Sequence, residues 1–377
     1  MLGPCSPDMV TDLLDDPLAP LPVRTSGIPV ADLSRALVAR GHRVSVTALN
    51  ADVRDQTTYQ GPSFEITLVP QRPTPRSRIK DQFRVERERM ADVVRGQRPD
   101  LVHAHWTYEY ELAAQRAAIT HVTTVHDVPL SVLRHVPDAY RLARTAMAYR
   151  ARLGMRRVSA VSRYTADHWQ RGMLYRGPVT VIPNMLPTPF GPTLRRPCAV
   201  PTLLDVADSS PLKNISTLLD VFATVRRRIP EAQLRLVGPG LDSGSELAYR
   251  CRRRGIRGVT FLGRLDRSAL RQEMDGAWLL THLSREESCP MVVLEAHASG
   301  LPVLAGAHAG GTPDLLDDGR AGTLVDLHRG QAIAQAIIEL IQNGPPSQAP
   351  GTTRWISDTF SPHKVAESYL RWYGDSG

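Results

Sequence analysis

The chain has 377 residues, a formal charge of +8 and 42% hydrophobic content, which is too long for one ordinary core and suits two domains of typical size. Its four cysteines, Cys5, Cys198, Cys251 and Cys289, lie far apart with no Cys-x-x-Cys pair. Neither a disulfide framework nor a zinc knuckle is indicated, and a reducing cytoplasm is the simplest home. There is no recognisable signal peptide and no apolar run near the roughly 18 residues of a membrane span. The basic residues are scattered and not interleaved with aromatics, so the charge suits an anionic ligand or surface and argues against nucleic acid.

Met1-Leu2-Gly3 is an abbreviated apolar stretch before Pro4, where a Rossmann-like half should open with a full strand. Either the true start lies upstream or the domain is built without its usual central strand. A helix follows Ser26-Gly27-Ile28-Pro29, with Val30, Leu33, Leu37 and Val38 on one face and Gly41 just past its end. Residues 43–49 and 64–69 read as strands, and 79–94 as one highly charged helix with a solvated face. Short apolar runs at 101–104, 122–125 and 158–161 alternate with helical stretches, the pattern of a parallel sheet wound on both sides. Ligands of such sheets bind at the carboxyl ends of strands. Two histidine clusters stand there: His103-Ala104-His105-Trp106 and His126-Asp127. A metal reading of His103 and His105 finds no third or fourth ligand at a telling spacing.

Between Tyr140 and Arg157, arginines 141, 144, 150, 152, 156 and 157 alternate with Leu142, Met147 and Leu153. Such a basic amphipathic face can lean on anionic lipid, although a solvated helix also accounts for it. Val179 to Asn184 closes a first domain, 1–186, and the proline-rich 187–201 reads as a linker. A second α/β run occupies 202–360. It has apolar runs at 202–207, 234–237 and 259–262, a helix at 215–228 and Gly238-Pro239-Gly240 after its second strand. A last helix covers 361–377.

The richest stretch is 281–326. A buried strand at 277–283 leads to a loop bearing Glu287, then to a helix over 291–298 that carries Glu295 and ends near Gly300, then to a strand at 301–305. Loop and helix can each offer a carboxylate to one ligand. Gly310-Gly311-Thr312 opens a short helix whose amides can receive an anion. A purely structural reading has Glu287 capping a helix and Glu295 solvated.

Glu287-x7-Glu295, Gly300-Leu301-Pro302-Val303-Leu304-Ala305 and Gly310-Gly311-Thr312-Pro313-Asp314 occur in the order that resembles the C-terminal signature of family 4 glycosyltransferases. The resemblance implies an α/β fold of the GT-B type, two Rossmann-like doubly wound domains facing a cleft, with the last helix crossing back to the first domain. It implies retaining transfer of a sugar from a nucleotide-sugar donor to the hydroxyl of an unidentified glycan or lipid acceptor; the cytoplasm is expected from the cysteines, and peripheral contact with anionic membrane from the basic face at 140–157. By the same resemblance Glu295 holds the ribose, Glu287 faces the sugar, and Lys213 neutralises phosphate. Ser209, Gly238, Gly27, Gly310, Gly311 and Thr312 line the donor. His126 contacts the donor sugar, and His103, His105 and Asp127 are sugar or acceptor candidates, a carboxylate there being able to hold a histidine tautomer. No Asp-x-Asp occurs, so no metal and no other cofactor is expected; cations and amides would stabilise the leaving group. One position departs from the pattern: Asp208 stands where the family carries a phosphate-binding Arg, a change that repels a diphosphate. Two rivals follow, a catalytically silent sugar-nucleotide or glycan-binding protein and a sugar-nucleotide epimerase.

Overall fold

A computed structural model describes residues 1–15, 27–187 and 195–374. Ser26 and, within the expected linker, Pro189 and Pro192 lie outside the described residues. The chain divides into two compact units, Met1–Pro187 with Phe360–Gly377, and Thr188–Thr359.

In the first unit the strands are β1 (Val44–Asn50), β2 (Thr57–Gln60), β3 (Phe64–Pro70), β4 (Val102–His105), β5 (His121–Val125), β6 (Val158–Ala160) and β7 (Val179–Val181). β3 pairs parallel with β1 and carries β2 as an antiparallel neighbour, while β4 to β7 run parallel in sequence order. A single residue joins the two groups. Leu2 bridges Thr47 of β1 and Ala104 of β4; its amide donates to the His103 carbonyl at 2.8 Å and its carbonyl accepts from the His105 amide at 2.7 Å. The central position of the sheet is thus filled, one bridge long, by a fully buried leucine. Gly27 then opens the helix Ile28–Val38 in the left-handed region (φ 110°), where a Cβ would stand 2.1 Å from the Pro4 carbonyl oxygen, so no other residue fits. Val30, Leu33 and Leu37 face inward as the period of 3.6 requires.

The stretch expected as one solvated helix is two, Pro75–Lys80 and Arg84–Gln97, separated at Gln82 and Phe83, both at positive φ. Phe83 is buried, and Arg72 pairs with Asp81 at 2.8 Å and with the fully buried Glu86 at 2.7 Å. A charge pattern along the helix cannot reveal a partner supplied from the preceding loop. The C-terminal helix Pro362–Gly374 belongs to this unit and packs on Ile28–Val38 through Val365, Tyr369 and Trp372.

The second unit holds β8 (Thr202–Val206), β9 (Gln233–Val237), β10 (Val259–Gly263), β11 (Leu279–His282), β12 (Val303–Gly306) and β13 (Thr323–Val325), all parallel, in the order β10-β9-β8-β11-β12-β13. The helix Ile215–Arg228 buries Ile215, Leu218, Leu219, Phe222 and Val225 against this sheet beside the helix Gly330–Ile341. The strand order reverses between β8 and β11, and a doubly wound sheet opens its crevice at such a point, outside the carboxyl ends of the strands.

Candidate active site

The loops that leave β8 and β11 at this reversal meet side by side. After β8, Pro211–Lys213 forms one turn of 3-10 helix and Asn214 enters the left-handed region (φ 58°) before the next helix starts. Asn214 is buried, donates from Nδ2 to the Leu283 carbonyl at 3.1 Å and accepts at Oδ1 from Arg285 Nε at 3.1 Å. The Arg285 amide and the Ser284 hydroxyl both donate to the Leu212 carbonyl, at 2.8 and 3.2 Å. These bonds fix the β11 loop to the β8 loop. Lys213 and Glu287 are thereby brought together: Lys213 Nζ lies 2.5 Å from Glu287 Oε1.

Two further groups complete this arrangement. His282, the last residue of β11, lies with Nε2 3.0 Å from the same Glu287 oxygen, and its Nδ1 faces Asp205 Oδ1 of β8 at 3.8 Å. Burial alone would raise the Glu287 carboxyl, but Lys213 and His282 outweigh it and hold it down at about 2. Burial likewise disfavours the cationic form of His282, yet Asp205 and Glu287 lift it to about 9. The Lys213 ammonium is also raised, Glu287 prevailing over desolvation, while burial pushes Asp205 up. Neither Asp205 nor His282 was singled out from the sequence. The signal was there: a charged or titratable residue inside an apolar strand run, Leu203-Leu204-Asp205-Val206 and Leu279-Leu280-Thr281-His282, in a sheet whose strands are covered on both faces.

The Gly310-Gly311 turn does something other than expected. The Gly311 amide donates to the Glu287 carbonyl at 2.7 Å and the Thr312 amide to the Ala309 carbonyl at 3.2 Å, so these two amides position the loop and do not await an anion. Thr312 is fully buried and its hydroxyl has no hydrogen-bond partner among the described residues. Glu295 is 6% exposed on the helix Met291–Ala298, which sets aside its reading as a solvated residue. Ser209 and Gly238 lie together at the ends of β8 and β9: the Ser209 amide donates to the Pro239 carbonyl at 3.0 Å, and Gly238 (φ 136°) passes so close to Ala207 that a Cβ would fall 1.9 Å from its carbonyl oxygen. Ser209, Asn214, Asp242, Arg250 and Arg285 line a pocket of about 670 Å³. Asp208 accepts from the Ser210 amide at 2.7 Å, closing an Asx turn that shapes the loop carrying Lys213.

The histidines divide in the first unit. His103 has both ring nitrogens engaged, Nδ1 with Tyr373 at 2.7 Å and Nε2 with Thr124 at 2.7 Å, so its ring fastens the C-terminal helix and its reading as a sugar contact is set aside. His105 Nδ1 meets His126 Nε2 at 3.0 Å, while His105 Nε2 is buried without a hydrogen-bond partner among the described residues. Trp106 stacks on His126 at 4.2 Å and donates from Nε1 to Asp127 Oδ1 at 3.3 Å. The expected His126–Asp127 tautomer bond is therefore replaced by His105–His126, because Asp127 turns toward the indole. Burial pushes the Asp127 carboxyl up and holds His126 at about 3, so His126 is neutral. Trp106 and Tyr108 adopt positive φ (64° and 82°), strain concentrated in the loop after β4.

A model of "Glycosyltransferase Family 4" matches residues 28–188, and one of "Glycosyl transferases group 1" matches residues 201–343, between them most of the chain. The chain belongs to the family 4 glycosyltransferases. Its fold is GT-B, and this glycosyltransferase is 23% identical over 367 residues to N-acetyl-alpha-D-glucosaminyl L-malate synthase of Bacillus anthracis, covering 93% of each protein. It is 32% identical over 156 residues to D-inositol 3-phosphate glycosyltransferase of Nocardioides sp., covering 37% of this chain and 34% of that one. Among solved structures, the glycosyltransferase superposes on sucrose-phosphate synthase of Thermosynechococcus elongatus with a TM-score of 0.77 at 21% identity over 92% of both chains. Anabaena HepE, solved with UDP and glucose, gives 0.69 at 18% identity over 93% of this chain and 96% of that one.

Proposed function

We propose that this glycosyltransferase takes a sugar from a nucleotide-sugar donor held by its second unit and passes it to an acceptor hydroxyl with retention of anomeric configuration. The observation that carries the reading is the Lys213–Glu287 pair at the β8/β11 reversal, within the Glu-x7-Glu signature. In this reading Lys213 turns to the diphosphate, Glu295 holds the ribose, and Glu287 faces the sugar. In the first unit the Nδ1 edge of His126, which makes no hydrogen bond among the described residues, serves a sugar hydroxyl. With no Asp-x-Asp in the sequence, leaving-group charge falls to Lys213 and its neighbours and not to a bridging metal. HepE, crystallised with UDP and glucose, motivates UDP-sugars as the first donors to try.

Asp208 favours one alternative, a silent nucleotide-sugar-binding protein, because an anion beside Lys213 weakens a diphosphate site. A panel of UDP-, GDP- and ADP-sugars separates the readings. Steady release of nucleoside diphosphate, undiminished by EDTA, supports transfer without metal; binding without release supports the silent reading; interconversion of the donor sugar would show an epimerase. Loss of turnover on EDTA and its return with magnesium would overturn the metal-free mechanism. Four cysteines spaced far apart in the sequence suit a reducing cytoplasm. The arginine-bearing helix Ala139–Ala151 exposes Tyr140 and, at 60%, Leu142, the composition of a face that rests on anionic lipid. Cosedimentation with phosphatidylserine vesicles, compared with neutral ones, tests that placement.

A further inference from the structure

The imidazole of His282 stands between two carboxylates, one at each ring nitrogen: Glu287 Oε1 3.0 Å from Nε2 and Asp205 Oδ1 3.8 Å from Nδ1. A neutral imidazole has one N–H and one lone pair, so it would turn the lone pair on one of these anions. An imidazolium donates to Glu287 from Nε2 and faces Asp205 with a charged Nδ1–H at ion-pair distance, making no hydrogen bond there among the described residues. His282 and Asp205 are each 2% exposed, on directly paired strands, where an ionised carboxylate is stabilised by a cation beside it. The charged groups that face this histidine are Asp205 from β8 and Glu287 from its own following loop, with Lys213 and then Asp208 beyond Glu287. Lys213 and His282 converge on the same oxygen of Glu287, Oε1, and Oε2 takes neither.

This arrangement bears on the phosphate role proposed for Lys213. Drawing Lys213 away to an anionic ligand would leave Glu287 and Asp205 as two neighbouring buried carboxylates, which is unfavourable unless another cation remains. We propose that His282, held as an imidazolium by Asp205, is a positioning residue that keeps Glu287 neutralised and oriented when Lys213 engages a diphosphate, leaving Glu287 Oε2 for the ligand. The inference rests on the donor-site reading above. It also answers the anomaly at Asp208: where the family places a second cation after β8, this chain places one at the end of β11.

The test uses the full chain and uridine diphosphate. Calorimetric titration of the wild type, His282→Phe, His282→Gln and Asp205→Asn at pH 7, each first checked for a native thermal transition, should show His282→Phe binding about tenfold more weakly, the size expected for losing one charge-assisted contact. His282→Gln, which keeps a donor without the charge, should fall between. Wild-type affinity should decline as pH rises through about 9, where His282 loses its proton, and the phenylalanine variant should lack that step. A purely packing role for His282 would not produce it. Independently of any ligand, nuclear magnetic resonance of histidine-labelled protein should show His282 protonated at pH 8 in the wild type and at a lower pKa in Asp205→Asn. Uridine diphosphate binding that His282→Phe leaves unchanged in strength and pH dependence, or a neutral His282 at pH 7, overturns the inference. Failure of the donor reading looks different: no nucleoside diphosphate binds the wild type, while His282 still titrates near 9.

Discussion

At the scale of single residues, the site turns on which carboxylate oxygen meets which cation. Lys213 is the only lysine in the loop after β8, and Asp208 stands in the same loop with its Oδ1 tied to the Ser210 amide. Lys213→Ala should weaken nucleoside diphosphate binding by one to two decades, the loss of a charge-assisted contact of about 1.5–3 kcal/mol. Asp208→Asn is the cleaner probe of the family departure, since it keeps an oxygen for the Ser210 amide and removes the charge; it should tighten binding at low salt, where repulsion is least screened. Weaker binding by Asp208→Asn would mean that the carboxylate itself contacts the ligand. The two signature glutamates should separate kinetically: Glu295→Ala raises KM through a contact that persists through the reaction, whereas Glu287→Ala chiefly lowers kcat. Equal effects on both constants in both variants would remove the assignment of roles.

At the scale of elements, two glycines at helices of the first unit show how context sets the sign of one substitution. Gly27 opens the helix Ile28–Val38 at φ 110° with the Pro4 carbonyl in the way of a Cβ, so Gly27→Ala should cost about 1–3 kcal/mol and lower the melting temperature by several degrees. Gly96 lies in the helix Arg84–Gln97 with nothing within 4 Å of an added Cβ, so Gly96→Ala should stabilise by about 0.5–1 kcal/mol. Thermal melts of both variants check the pair, and a destabilised Gly96→Ala would show that the helix is not limited by backbone entropy there. The charged helix region carries a related lesson. Glu86 looked solvent-bound in the one-dimensional pattern, but Arg72 reaches it from outside the helix and makes its burial tolerable.

For the whole molecule, histidines make the two units respond differently to pH. His103, His105, His126 and His168 in the first unit are held below 6.5 by burial, so the unfolded chain takes up protons first and stability falls as pH drops below about 6.5. His121 opposes this, since Glu111 overcomes its burial and raises it. In the second unit His297, held at about 4, acts in the same acid-sensitive sense, but His282 is raised to about 9 and stabilises fully below 6.5, a contribution lost as pH rises through about 9. Calorimetric scans should therefore show the first unit's transition falling more steeply than the second's toward pH 5, and the second unit's falling as pH passes 9. His282→Phe should abolish the alkaline loss. Parallel shifts of both transitions at both ends would contradict this division.

The sequence by itself determined the alternation of strands and helices, the signature around Glu287 and Glu295, and the departure at Asp208, because periodicity, turn residues and short motifs are local and survive without coordinates. Tertiary structure decided the partners. Asp205 and His282 are 77 positions apart and meet only because β8 and β11 pair at the sheet's reversal; His103 turned out to hold the C-terminal helix because Tyr373 arrives from 270 positions away. Leu2 could complete the sheet because β4 stands on one side to take its amide and carbonyl, while on the other side Thr47 of β1 bonds to Met1 and Gly3. The Gly311 amide could not be known to serve the Glu287 loop and not an anion until that carbonyl was seen beside it. A hydrogen bond or a buried charge depends on distances of a few ångströms between segments remote in the chain, and a linear pattern records residue types but not which of them folding brings face to face.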